Sequence, residues 1–306
     1  MALEIINPGP LSTVQDGGRK GYMQAGFPRA GVMDDYSFYK ANALLHNDPN
    51  AAVIEMTMLG VKAKFTAPCR FVAAGGDFGG MLNDTPIRPN TVYQAAAGDL
   101  LSFGAAKSGC RCYLAVKGGF DVPMIMGSRS TDIKCRLGGV DGRKLQKGDL
   151  LPICPADTDA SPNGASFHNP MPQGVARLRA VPGPQDDAFT ADDLALFFSQ
   201  PYTVTAESDR MGMKLDGAPL QSKNGMDIIS DGIAFGAVQV PRSGKPIVLM
   251  ADRQTVGGYA KIATVLTCDL HIAAQLRPAD RVQFVKTDLA AAQAAPVAYR
   301  KTLYSL

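Results

Sequence analysis

Polar side chains set among glycines are the residues of this chain most able to do chemistry. In TVQDGGRKGY, Thr13 to Tyr22, the residues Gln15, Asp16, Arg19 and Tyr22 sit among three glycines. GFPRAGVMD, Gly26 to Asp34, adds Arg29 and Asp34. Further on, ADRQTVGGYAKI, Ala251 to Ile262, sets Asp252, Arg253, Gln254, Thr255, Tyr259 and Lys261 around Gly257-Gly258, directly after the apolar run Ile247-Val248-Leu249-Met250. A buried strand that empties into such a segment offers amides, charges and bare backbone N–H groups to an anionic or amide ligand. The same composition suits a Gly-rich hairpin with polar turn residues. The residues alone leave both readings open.

Several other chemistries are poorly supplied. There is no GxxxxGK[ST], no GxGxxG after a strand, no HExxH and no GxSxG. His46, His168 and His271 are the only histidines, and each reads as a surface or capping residue rather than a triad member. The six cysteines are scattered; only Cys110 and Cys112 lie close together, too few ligands for a zinc site, so reduced thiols filling the core are expected. No metal site is expected. Met211-Gly212-Met213-Lys214-Leu215 is loosely similar to a biotinylated lysine between methionines, but it follows Ser208-Asp209-Arg210 inside a larger unit, so no biotin is expected on this chain. The net charge of +3 over 306 residues gives no reason to expect a nucleic acid or an acidic membrane as partner. The N-terminus MALEIINPGPL lacks a basic n-region and an apolar h-region, and no run approaches the ~18 apolar residues of a spanning helix, so a cytoplasmic protein is expected.

The elements that must hold these residues are mostly strands. The 32 glycines and 21 prolines make a chain that turns often, which favours many short strands over long helices. Val61, Ala63 and Phe65 alternate with Lys62, Lys64 and Thr66; Cys112, Leu114 and Val116 with Arg111, Tyr113 and Ala115; Val282 and Phe284 with Arg281 and Gln283. Period two predicts half-buried strands, and Ile247–Met250 predicts one covered on both faces. Helices are predicted from Asp34-Asp35 to about His46, after a capping box at Thr190 and Asp193, and over 288–306 with a break or restart at Pro296. The Pro-rich stretch 151–176 is the candidate linker between a β-rich domain at 1–150 and a second at 177–306. SGCRCYLAVKGG from Ser108 and SGKPIVLMADRQTVGG from Ser243 echo one another, each followed by an Asp and a turn-Asp-strand, which hints at duplication. The predicted fold class is mainly β (α+β), with two β-rich units and a few short helices.

Ordered strings now add a resemblance. GPLSTVQDGGRKGY, GFPRAGVMDDYS, GSRSTD (Gly127 to Asp132), VPGPQDDAFT (Val181 to Thr190), SDRMGMKL (Ser208 to Leu215), GAVQVPRSGKPIVLMADRQTVGGY (Gly236 to Tyr259) and LRPADRV (Leu276 to Val282) run in family order over nearly the whole chain. The sequence resembles the allophanate hydrolase subunit 2 family. That family embraces KipA-type antagonists of a kinase inhibitor, the C component of bacterial 5-oxoprolinase and part of the carboxyltransferase domain of urea carboxylase.

The resemblance implies cyclophilin-like β-barrels and obligate partners: a KipI-like, subunit-1-like protein and a subunit-A-like oxoprolinase protein. It implies an ATP-hydrolysing enzyme that opens 5-oxo-L-proline to L-glutamate, active only as a multi-subunit complex, with ATP, and Mg with it, shared with a partner subunit. An unactivated lactam is a poor electrophile, and phosphorylating its oxygen supplies a leaving group. Within the matched strings, Asp16, Arg19, Arg210 and Asp252 are the implied catalytic residues. The two arginines would hold phosphate or carboxylate, and the two aspartates would orient a lysine or water. Gln15, Tyr22, Gln239, Gln254, Thr255, Gly257, Gly258 and Tyr259 are the implied substrate-binding residues. The family pattern has Arg, Glu and Pro where this chain has Lys214, Asp231 and Ala260, and a lysine cannot reproduce a bidentate arginine contact. The alternatives are a non-catalytic KipA-like regulator and a component of a biotin-dependent urea or amide carboxyltransferase served by a carrier in trans.

Overall fold

The structure is a computed structural model in which residues 1–156, 162–169, 171–223 and 225–304 are described. The chain forms two compact units, one of Met1–Lys20, Ala30–Met171 and Thr302–Leu306, the other of Gly21–Arg29 and Pro172–Lys301. Strands predominate, with four α-helices among the described residues. The fold is mainly β.

The first unit runs β1 (Ala2–Asn7), β2 (Ser12–Gln15), α1 (Asp35–Leu44), β3 (Val53–Thr57), β4 (Lys62–Phe65), β5 (Cys69–Asp77), β6 (Met81–Leu82), β7 (Thr85–Pro86), β8 (Val92–Ala95), β9 (Leu100–Ser102), β10 (Ser108–Val116) and β11 (Leu150–Pro152). They build a six-stranded sheet, β11-β1-β4-β9-β6-β7, and a five-stranded sheet, β2-β3-β10-β5-β8. β4 alternates as expected, with Ala63 and Phe65 inside and Lys62 and Lys64 outside.

β10 departs from expectation: it is covered on both faces. Cys112, Leu114 and Val116 join Leu3, Ala63 and Phe65 in the core between the sheets, while Tyr113 and Ala115 join Phe38, Ala41 and Leu44 of α1 on the other face. A central strand between a second sheet and a helix loses its wet face, and short alternation cannot show that in advance. α1 begins where predicted, with Asp34 as N-cap accepting from Ser37 N–H at 2.9 Å.

The second unit runs β12 (Val175–Pro182), α2 (Ala191–Ser199), β13 (Pro201–Val204), β14 (Gly212–Asp216), β15 (Asp227–Gly232), β16 (Ala237–Gln239), β17 (Ile247–Leu249), β18 (Val256–Tyr259), β19 (Lys261–Val265), α3 (Leu270–Ala274), β20 (Arg281–Lys286) and α4 (Leu289–Tyr304). Seven of these strands close a barrel in the order β12-β19-β16-β17-β14-β13-β20, while β15 and β18 pair as a separate ribbon. Closure leaves the barrel no free edge. The barrel is closed in this unit, whereas the first unit builds two sheets.

α2 starts at the predicted cap, Thr190 accepting from Asp193 N–H at 3.1 Å, and Phe197 stacks on Phe284 of β20 with centroids 4.5 Å apart. The predicted break at Pro296 does not occur: α4 continues through it. Proline removes one i→i−4 bond, but this helix is mostly exposed, so water can take the freed carbonyl while the flanking alanines sustain the helix. Of the stretch 151–176 expected as linker, Leu151 and Pro152 lie in β11 and Ser166 bridges Thr91; residues 157–161 and 170 lie outside the described residues.

Candidate functional site

The residues singled out from sequence fall into two sets, Gln15, Asp16 and Arg19 in the first unit and the remainder in the second. In the first unit Asp16 is buried just after β2 and accepts four hydrogen bonds: Ser128 Oγ at 2.6 Å, Ser130 Oγ at 2.6 Å, Arg129 N–H at 2.6 Å and Gly18 N–H at 2.8 Å. Its own N–H donates to Ser130 Oγ at 2.9 Å. The GSRSTD string is therefore tied to the TVQDGG string through one carboxylate whose lone pairs are filled by neighbours. Gln15 Nε2 donates to Thr131 O at 3.1 Å and Arg19 Nη2 to Ser130 O at 3.0 Å, on successive carbonyls of that string. Gln15 Oε1 and Arg19 Nη1 are buried without a hydrogen-bond partner among the described residues. Gly138, at φ +66°, allows the arginine this place, since a Cβ there would collide with Ser130 O and lie 2.9 Å from Arg19 Nη2.

In the second unit Arg210 and Asp252, assigned separate roles from sequence, are bonded to each other. Nε meets Oδ2 at 2.8 Å and Nη2 meets Oδ1 at 2.9 Å, while the Asp252 N–H donates to Arg210 O at 2.9 Å. The side chains are 6% and 14% exposed, so this is a mostly buried bidentate pair. It fastens the turn after β17 to the segment before β14.

A second cluster lies where β18 leads into β19. Gln239 of β16 is the register partner of Lys261 in β19. Lys261 is 2% exposed, and its ammonium meets Asp231 Oδ2 at 3.2 Å. That bond and the Gly232 N–H hold the Asp231 carboxyl below the usual carboxylate range. Lys261 N–H donates to Gln185 Oε1 at 3.2 Å. Gly257 lies opposite Asp231 on the ribbon. A Cβ on it would be 2.9 Å from Gln239 Nε2 and 3.2 Å from Gln254 Nε2, so two amide side chains converge on its bare backbone. Gln239 Nε2 also reaches Tyr259 O at 3.4 Å. Thr255 takes part through its backbone, its O accepting from Ile233 N–H at 3.1 Å. Gly258 keeps the ribbon open beside Ser230, and Tyr22 and Tyr259 are exposed.

This cluster contains groups not placed in the site from sequence. Lys261 stood two residues after Tyr259 in the same string, but only the barrel register makes it the neighbour of Gln239. Gln185 was visible only as part of VPGPQDDAFT. Asp231, noted as a departure from the family pattern, is the lysine's counter-ion. Lys214, another departure, makes an exposed pair with Glu207 at 3.2 Å. The six cysteines form no disulfide, and four of them are buried. No group of three or more His, Cys, Asp or Glu side chains able to hold a metal occurs among the described residues. No helix among them is long and apolar enough to cross a membrane.

The family profile described as carboxyltransferase domain, subdomain A and B, matches residues 25–286. The chain belongs to that family. Among its carboxyltransferase-domain relatives, the C component of 5-oxoprolinase from Escherichia coli (strain K12) is 37% identical over 94% of this chain and 92% of its own length. The Haemophilus influenzae protein of the same name is 36% identical with the same coverage. Urea amidolyase of Lachancea kluyveri is 32% identical over 93% of this chain, which spans only 17% of that protein. Among solved structures, Kluyveromyces lactis urea carboxylase superposes with a TM-score of 0.93 at 30% identity, covering 99% of this chain and 29% of that one. The family's residues 25–286 take in the whole Gln239–Gln254–Gly257–Lys261 cluster, whereas Gln15, Asp16 and Arg19 precede the matched span.

Proposed function

We propose that this carboxyltransferase-domain chain is the C component of an ATP-dependent 5-oxoprolinase, converting 5-oxo-L-proline, ATP and water to L-glutamate, ADP and phosphate. The observation that carries the reading is the end-to-end match to two proteins named as the C component of 5-oxoprolinase, over 94% of this chain and 92% of theirs. The chemistry of the second-unit cluster supports it. A lactam offers one N–H and one C=O, and the paired amides of Gln239 and Gln254 can accept from the first and donate to the second. Gly257, bare of a side chain, lets both amides pack against the ribbon backbone. Lys261 brings a buried positive charge toward an oxygen on which negative charge develops as the amide is activated. Arg210–Asp252 fastens the turn that leads into Gln254 and acts as a positioning pair.

In this reading ATP, with Mg, sits in a site shared with the KipI-like partner, and a subunit-A-like protein completes ring opening. The test is ADP release on adding 5-oxo-L-proline to the assembled subunits, with each protein omitted in turn. Lactam-dependent turnover that requires this chain supports the reading, and turnover without it overturns the reading. A second reading, carboxyl transfer to a small amide, is favoured by the superposition on urea carboxylase. It predicts activity only with bicarbonate and a biotin carrier added in trans.

A further inference from the structure

Arg253 lies between Asp252 of the buried ion pair and Gln254 of the amide pair, yet no carboxylate among the described residues answers its charge. It is 5% exposed. Its Nε donates to Ile233 O at 3.1 Å, Nη1 to Met250 O at 3.3 Å and Nη2 to Met23 Sδ at 3.7 Å, and its guanidinium lies 5.2 Å from the centre of the Phe235 ring. Every one of these partners is neutral. The contrast with Arg210, gripped at both ends by Asp252, is direct. Burial, and after it the charge of Arg29, lower the Arg253 guanidinium to about 10. A buried cation whose contacts are carbonyls, a thioether and a ring is costly unless an anion joins it.

The geometry also leaves the right donors. A guanidinium has five N–H groups, and Arg253 spends three, one on each nitrogen. One N–H remains on each terminal nitrogen, two donors in number to meet the two oxygens of a carboxylate. Ile233 connects this guanidinium to the amide cluster: its O accepts from Arg253, and its Cδ1 lies against Gly257. In 5-oxo-L-proline the carboxylate sits on the carbon next to the lactam nitrogen, so a ring held by the two amides carries its negative charge close by.

We propose that Arg253 is the carboxylate-binding group of this site and selects a carboxylated lactam over a plain one. The identity of the ring rests on the function proposed above; the anion site itself does not. The apolar walls made by Met23 and Phe235 favour a monoanion over a phosphate.

The test is calorimetric titration of the full chain, alone and assembled with its partner subunits, with four probes: 5-oxo-L-proline, 2-pyrrolidinone, acetate and inorganic phosphate. The wild type is expected to prefer 5-oxo-L-proline to 2-pyrrolidinone by about 10- to 100-fold, the scale of a charge-assisted bidentate contact. Arg253→Lys keeps the charge and loses the fork, so the preference should fall to within about 3-fold while 2-pyrrolidinone binding is unchanged. Arg253→Gln serves as the second variant if Arg253→Lys does not fold, and should lower the preference in the same direction. A folded Arg253→Lys that keeps the full preference overturns the inference. So do equal binding of the two lactams by the wild type, tighter binding of phosphate than of any carboxylate, and silence toward every carboxylate. If acetate binds in an Arg253-dependent way but neither lactam binds, the anion site stands and the oxoprolinase reading falls.

Discussion

The Arg210–Asp252 pair separates a structural clip from a substrate grip. With two hydrogen bonds of 2.8 and 2.9 Å and side chains 6% and 14% exposed, the pair is largely removed from water. At a charge separation of ~4 Å and an effective dielectric near 20, the attraction is about 4 kcal/mol, and desolvation of the two ions offsets most of it. Removing one partner is another matter, because the survivor stays mostly buried and loses both hydrogen bonds of the pair. Asp252→Asn should therefore destabilise the chain by about 3–5 kcal/mol, and Arg210→Met by a similar amount. The double variant Arg210→Met/Asp252→Asn should return to within about 2 kcal/mol of wild type, giving a coupling energy of at least about 4 kcal/mol.

The assay is urea unfolding of the full chain followed by circular dichroism, since the chain has no tryptophan. With a slope of about 3 kcal/mol per M, the single variants should shift the midpoint by roughly 1–1.7 M. The reasoning is refuted if Asp252→Asn costs under about 1 kcal/mol, or if the double variant is as unstable as the two singles summed. Loss of turnover in a fully stable Arg210→Met chain would instead return Arg210 to the role of anion grip.

Three further outcomes are expected. Gly257→Ala should fold, because the added Cβ meets the flexible ends of Ile233, Gln239 and Gln254 at 2.6, 2.9 and 3.2 Å, but it should displace both amides and cut lactam affinity by about 10-fold or more, read by the same titration. Asp149, held by Arg143 through two bonds of 2.8 Å, has its carboxyl below the usual range. The folded state then binds this proton less readily than the unfolded one, so the contribution is complete above the unfolded value near pH 4 and drains as pH falls through the folded one; Asp149→Asn should flatten that part of the acid limb in pH-dependent unfolding. Native alkylation followed by mass spectrometry should modify exposed Cys135 first and leave Cys69 and Cys112 untouched, since burial pushes the Cys69 thiol to about 11 and Cys112 higher still; early loss of the Cys112 thiol would contradict its burial.

What the sequence determined by itself was local chemistry and its order along the chain. Capping residues and alternation act within a turn or two, so Asp34, Thr190 and the β4 pattern announced their elements without help from the rest of the molecule. Ordered strings likewise marked the family and the polar segments around Gly17-Gly18 and Gly257-Gly258. Tertiary structure alone decided how each charge is used. Arg210 and Asp252 are 42 residues apart, so nothing local could show that they pair with one another while Arg253, one residue on, has only neutral hydrogen-bond partners. The barrel register, not sequence distance, sets Lys261 beside Gln239. Whether β10 has one wet face or none depends on a sheet and a helix formed elsewhere in the chain. Burial and pairing are properties of the assembled surroundings, and they decide whether a charged side chain holds the fold or waits for a ligand.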